Sequence, residues 1–209
     1  MLGTLVLVHG AGSGPWIFDC WAEDFPAELR VVAPDLQEGL DVASASMANY
    51  CERVVSVMSS TKDPVALCGW SMGGLVALMA AQEVHPTALV LLEPSPPGEI
   101  QGFDPEASVD RGTFDPEEVY GRFPDTKPAR AESSLARGER KRGIAVPSVN
   151  CPTLVVSGDE FRETRGDPVA ALYRAKHLHF EGLSHWDLVV RTEVRRTIAF
   201  FLMTHVKSS

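Results

Sequence analysis

Three short runs in this chain are apolar almost from end to end: "VALCG" at 65–69, "ALVLLE" at 88–93 and "TLVVSG" at 153–158. A half-exposed strand alternates apolar and polar residues. A run of this length with no polar side belongs to a strand covered on both faces. Two more β-rich runs, "TLVLVHG" at 4–10 and "RVVAPDL" at 30–36, end in Gly10 and in Pro34-Asp35, and "HLHFEG" at 177–182 reads as a last strand. Helical spacing lies between them. Residues 44–60 place Met47, Tyr50, Val54, Val57 and Met58 on one side, 72–84 is closed by His85 and Pro86, 167–176 is a short helix, and 187–206 reads as one final amphipathic helix. Strands buried on both faces and separated by helices predict an α/β fold, a mostly parallel sheet with helices on both faces.

The rhythm breaks once. Residues 94–152 are rich in proline, glycine and charge, with helical fragments at 116–123 and 129–142. A long excursion between two buried strands must lie outside the sheet, and it reads as a small helical lid inserted into a single domain spanning 1–209; a disordered loop is the plainer alternative. Within it "RGERKR" at 137–142 reads first as a solvated helix end, with the holding of an anionic substrate as the second possibility.

Charge and cysteines narrow the class of partner. The net charge of −9 argues against a nucleic-acid surface and gives little reason to expect binding to anionic membranes. No apolar run approaches the roughly 20 residues of a membrane span, and the first strand has no basic leader, so no signal peptide is expected. Cys20, Cys51, Cys68 and Cys151 form no C-x-x-C pair and no metal-site spacing. Reduced thiols in a cytoplasmic protein are expected.

The chemistry concentrates in "ALCGWSMGGLVAL" at 66–78, where Gly69-Trp70-Ser71-Met72-Gly73 fits G-x-S-x-G between a strand and a helix. A very tight strand-to-helix turn strains the backbone of its central residue and lifts that residue's hydroxyl above the sheet edge. Side chains two residues to either side would collide, so glycine is needed there. The following helix points its N-terminal amides at developing negative charge. A plain glycine-rich turn is the bland alternative.

With these residues the chain resembles the α/β-hydrolase family, from "LVLVHGAGSGPW" near the start to "GLSHWDLV" near the end. The resemblance implies a compact, esterase-like member that starts at the strand usually counted third. It implies Ser71 as nucleophile. It makes His9-Gly10-Ala11-Gly12 the oxyanion segment, with the N–H of Ala11 working beside that of Met72, and Gly10, Trp16 and Trp70 around the substrate. His9 itself is expected to tie loops together beneath the site. Among the six histidines His185 alone follows the last strand within a Gly-x-Ser-His stretch, which is where the family carries its general base.

The acid departs from the family pattern. Three residues after Gly158, where the family usually has an aspartate, stands Phe161. Two carboxylates remain open: Glu93, at the tip of "ALVLLE", where many haloalkane dehalogenases carry theirs, and Asp159, beside Gly158. Glu93 is slightly favoured.

The implied activity is hydrolysis of a small carboxylic ester, or related acyl substrate, through an acyl-enzyme, with no cofactor and no metal. A serine at position 71 argues against haloalkane dehalogenases and epoxide hydrolases, which use aspartate there. Two alternatives of other classes stay open. One is a hydrolase-fold protein that binds without catalysing, suggested by the displaced acid. The other is a dinucleotide-binding module, suggested by Gly10-x-Gly12-x-Gly14 and Asp35, although Pro15 stands where its third glycine belongs.

Overall fold

The apolar runs line up as neighbours in one sheet. The structure, a computed structural model, describes residues 2–121, 123 and 129–206. In chain order it contains β1 (Gly3–Val8), two 3₁₀ turns (Pro15–Phe18 and Trp21–Asp24), β2 (Leu29–Val32), α1 (Met47–Ser59), β3 (Val65–Trp70), α2 (Met72–Glu83) and β4 (Ala88–Leu92). The excursion follows, with α3 (Gly98–Gln101), β5 (Thr113–Phe114), α4 (Pro116–Tyr120), β6 (Glu132–Ser133) and α5 (Ser134–Arg142). The chain closes with β7 (Thr153–Ser157), α6 (Asp167–Tyr173), β8 (Lys176–His179), α7 (Asp187–Val190) and α8 (Thr192–Val206). Position 122 of the expected fragment 116–123, and 124–128 of the expected lid, lie outside the described residues.

Six strands run parallel in the order β2-β1-β3-β4-β7-β8. Alternate residues of the central strands feed opposite layers of the core. Val6, Val8, Leu67, Leu89, Leu91 and Val155 pack toward α1 and α2. Leu5, Leu7, Cys68, Val90, Leu92 and Val156 pack toward Trp21 and the α7–α8 segment. This two-sided burial is the physical content of the apolar runs. Helix α2 is buried nearly all round, Met72 to Leu78 without exception, so it lacks the polar stripe of a surface helix. Helix α1 starts where Ser46 and Asn49 form a reciprocal cap, with the Asn49 N–H donating to Ser46 Oγ at 3.1 Å and the Ser46 N–H to Asn49 Oδ1 at 3.0 Å.

The final helix, expected as one piece, is two. Arg191 is extended (φ −78°, ψ 131°) and separates α7 from α8. The carbonyls released by the break find partners elsewhere. Trp21 Nε1 donates to the Val189 carbonyl at 2.9 Å, and Arg195 Nη1 donates to that of Val190 at 2.6 Å. Arg195 is in turn paired with Asp24 at 2.6 Å, both side chains about nine-tenths buried. Those partners lie far away in sequence, so no local pattern marks the break.

In the register of the sheet, Val8 pairs with Gly69, Trp70 with Leu92 and Leu92 with Val156. The C-terminal ends of four strands therefore stand level, and the loops that follow them share one edge of the sheet.

Candidate active site

Ser71 follows β3 directly and caps α2. Its backbone lies in a region an L-residue rarely occupies (φ 55°, ψ −123°). The surrounding glycines leave no room for anything larger. A Cβ on Gly69 would sit 2.7 Å from the Gly74 Cα, and one on Gly73 would sit 2.6 Å from the Val8 carbonyl carbon. The strained residue is pinned on both sides, its N–H donating to the Leu92 carbonyl at 3.0 Å and its carbonyl accepting from Gly74 at 3.0 Å and Ser95 at 2.8 Å. Met72 opens α2, so its N–H is one of the helix-end donors that have no carbonyl within the helix.

Ser71 and His185 line one cavity of about 480 Å³, together with Ala11, Trp70, Phe161 and Trp186. His185 lies in the connection between β8 and α7. Its Nδ1 stands 2.7 Å from Glu93 Oε2. The ring lies against Trp70 (centroids 4.9 Å apart) and meets Phe161 nearly edge-on (5.2 Å, 84°), and Trp70 Nε1 donates to the His185 carbonyl at 3.1 Å. The turn around it is braced by its neighbours. The Ser184 hydroxyl and N–H both donate to Asp187 Oδ2, at 2.7 and 2.9 Å, and hold the Asp187 carboxyl below its ordinary pKa.

The two carboxylates left open by the sequence part company. Glu93 is fully buried and takes a positive φ of 36°. One of its oxygens faces His185 and the other accepts the Gly158 N–H at 2.8 Å. Asp159 is exposed. It lies 3.2 Å from His179 Nε2 and accepts the Gly182 N–H at 2.9 Å, on a second, smaller cavity of about 210 Å³.

The loop after β1 brings Ala11 to the cavity. Gly10 packs against the nucleophile turn, and a Cβ there would lie 2.7 Å from the Trp70 ring. His9 is fully buried. The Leu36 N–H donates to its Nε2 at 3.1 Å, which leaves Nδ1 to carry the proton and donate to the Gly10 carbonyl at 3.0 Å. Gly12, at φ 72°, is gripped by the excursion. Its carbonyl accepts from the Arg130 N–H at 2.7 Å and its N–H donates to Glu132 Oε2 at 3.2 Å. Glu132 has no exposure and also takes the Tyr50 hydroxyl. Burial and then the Glu132 charge push the Tyr50 phenol well above its ordinary pKa. Asp35, the acid of the dinucleotide alternative, is bound by both oxygens to Arg130 Nη1 at 3.0 Å.

Trp16, like Asp159, is a site candidate that does not line the cavity of Ser71. It belongs to the 3₁₀ turn Pro15–Phe18, packs on the α7–α8 side of the core and is not among the residues lining the cavity. Sequence reasoning missed Tyr120, Arg165 and the role of Phe161 in the lining, and it missed the buried Glu132; none carries a local signature. Among the described residues, no group of three or more His, Cys, Asp or Glu is arranged to hold a metal ion, and no helix is long and apolar enough to cross a membrane. The four cysteines are free thiols, and burial first, then Glu83, pushes Cys51 up to about 12.

Comparison with known proteins gives the family and the fold. A model of the alpha/beta hydrolase family matches residues 5–197. A pimeloyl-(acyl-carrier protein) methyl ester esterase of Aromatoleum aromaticum is 36% identical over 96 residues, covering 44% of this chain and 37% of that protein. The chain thus matches little more than a third of that relative's length. Among solved structures, a thermophilic esterase from Thermogutta terrifontis superposes with a TM-score of 0.71 at 20% identity, covering 97% of this chain and 90% of that one. Est1E from Butyrivibrio proteoclasticus, with ferulic acid bound, superposes with a TM-score of 0.70 at 17% identity, covering 98% and 89%.

Proposed function

The chain belongs to the alpha/beta hydrolase family, and from that premise we propose that it is a serine hydrolase of small carboxylic esters, or related acyl compounds, working through a covalent acyl-enzyme. The observation that carries this is the buried contact of Glu93 with His185 Nδ1, 2.7 Å long, beside a cavity that also holds the strained Ser71.

In this reading Glu93 accepts a hydrogen bond from the Nδ1–H of His185, which keeps that proton on Nδ1 and leaves Nε2 as the base. Ser71 Oγ attacks the acyl carbon and gives its proton to Nε2. The N–H groups of Ala11 and Met72 hold the oxyanion of the tetrahedral intermediate, where the loss of one donor costs roughly 10²–10³ in rate. His185 returns the proton to the departing alkoxide. Water then attacks the acyl-enzyme with His185 again as base, and the acid leaves with Ser71 restored. The described part of the 94–152 segment acts as a lid in this reading. Val119, Tyr120, Phe123 and Arg140 from that segment line the cavity.

Supporting this reading over a non-catalytic binding protein, Glu93 supplies a carboxylate where Phe161 does not. A fluorophosphonate probe tests it. The wild type should be labelled and Ser71→Ala should not, and hydrolysis of p-nitrophenyl butyrate should fall at least about 10³-fold in that variant. Equal labelling of the two proteins overturns the assignment of Ser71.

A further inference from the structure

The cavity that holds Ser71 and His185 also holds two guanidinium groups from different elements, Arg140 of α5 and Arg165 of the single π-type turn Arg162–Gly166. Neither has a carboxylate within ion-pair distance among the described residues. Other buried or half-buried arginines of the chain do, Arg130 on Asp35 and Arg195 on Asp24. Arg140 offers one Nη2 contact to the Tyr120 hydroxyl at 3.3 Å, while its Nε is buried without a hydrogen-bond partner. A buried donor left unsatisfied is costly, and in a folded protein it calls for a partner. Arg165 stacks over the Phe161 ring at 3.8 Å, and that same ring meets His185 edge-on. One aromatic ring therefore separates a fixed positive charge from the histidine.

The two arginines are uncomfortable neighbours. Burial pulls the Arg165 guanidinium below its ordinary pKa and the nearby Arg140 charge adds to this, while the negative charge of Glu93 works the other way. Glu160, exposed at the rim, offsets part of the positive charge without bonding to either group. A protein of net charge −9 keeps in one pocket two cations with no ion-pair partner among the described residues. Forked guanidinium donors match an oxyanion with two or three oxygens.

We infer that the cavity takes an ester whose non-reacting part carries an anionic group, a carboxylate or a phosphate, held by Arg140 and Arg165. The inference deepens the ester-hydrolase reading and rests on it for the position of the reacting bond. It also gives a task to one residue of the basic run at 137–142.

Two measurements separate it from that reading. The first compares kcat/KM for p-nitrophenyl butyrate and for the mono-p-nitrophenyl ester of glutaric acid, which adds a carboxylate to a similar chain. The wild type should prefer the charged ester, and Arg140→Gln or Arg165→Gln should lower the charged-to-neutral ratio roughly ten- to hundredfold, mainly through KM. Arg140→Lys, which keeps the charge and loses the fork, should restore only part of the ratio. The second follows the thermal melting of Ser71→Ala with glutarate or with propyl phosphate. A rise with glutarate alone identifies a carboxylate, and a rise with propyl phosphate alone a phosphate. Either rise should vanish when Arg140→Gln is added. If the neutral ester is turned over, the charged ester is not preferred and neither anion raises the melting temperature, the anion site is overturned and the hydrolase reading stands. If neither ester reacts while an anion still binds through the arginines, the hydrolase reading fails and the anion site stands.

Discussion

Strands β4 and β7 lie side by side, and each is followed within two residues by a carboxylate, Glu93 and Asp159. The two carboxylates meet different histidines. Glu93 reaches His185 at full burial, and Asp159 reaches His179 at the surface. The backbone makes the difference. At Glu93 a positive φ turns the side chain across the end of the sheet, a conformation that costs of order 1–3 kcal/mol and persists only where its surroundings hold it. Two hydrogen bonds do so here, one from Gly158 and one with His185. After β7 the same level of the sheet contributes a donor in place of an acid. Gly158 offers its N–H to Glu93, and the next residue turns outward to hold the Gly182 N–H in the turn that leads to His185. Both strand ends therefore serve the same imidazole, one through a side chain and one through the loop that carries it.

The largest effect should come from Glu93→Gln. The amide oxygen can still accept from Gly158, so the fold is expected to survive, while His185 loses the charge that fixes its tautomer. kcat/KM for p-nitrophenyl butyrate should fall about 10²–10⁴-fold, and a loss under threefold would assign the acid elsewhere. Next comes Gly158→Ala. Its Cβ would lie 2.9 Å from the Leu183 carbonyl carbon, against backbone that cannot swing aside. We expect about 1–3 kcal/mol of lost stability in urea titration, with activity falling as the donor to Glu93 shifts. Wild-type stability in that variant would show that the two strand ends are not locked together. Phe161→Ala removes the edge-on partner of His185 and the platform of Arg165. An aromatic pair of this kind contributes about 0.5–1.5 kcal/mol, so a two- to tenfold loss on a neutral ester is expected, and a larger one would make Phe161 more than packing.

The legible parts of the molecule are those governed by local rules. Each buried strand has its own apolar run, and Gly69, Ser71, Gly73 and Gly74 fall within six residues, where close contacts leave no room for a side chain at the three glycines. His185 has a local mark too, its place after the last strand, and it lines the same cavity as Ser71. The rest depends on contacts between distant residues. Nothing near Glu93 records that Gly158, 65 positions on, offers it a hydrogen bond. Nothing near Arg191 records that Arg195 leaves the helix axis to reach Asp24, 171 positions away. Trp16 has the neighbours of a site residue in the sequence and faces the core in space. Glu132 holds Gly12 from within a segment whose composition says only that it lies outside the sheet.

The smallest effect should belong to Asp159→Asn, and it decides whether the contrast between the two carboxylates is real. The Asp159 side chain is 55% exposed and its histidine partner 22% exposed. A contact in that setting, an ion pair only when His179 carries two protons, is screened by salt and contributes about 0–1 kcal/mol. Asparagine preserves the acceptor for the Gly182 N–H, so the turn before His185 should keep its shape. kcat/KM should stay within about twofold of wild type, and the difference in stability should shrink further as salt is raised from low to high concentration. If Asp159→Asn instead lost as much activity as Glu93→Gln, the turn after β8 would be transmitting the charge of Asp159 to the imidazole. The acid of this site would then be shared between neighbouring strands, with the burial of Glu93 serving the fold more than the chemistry.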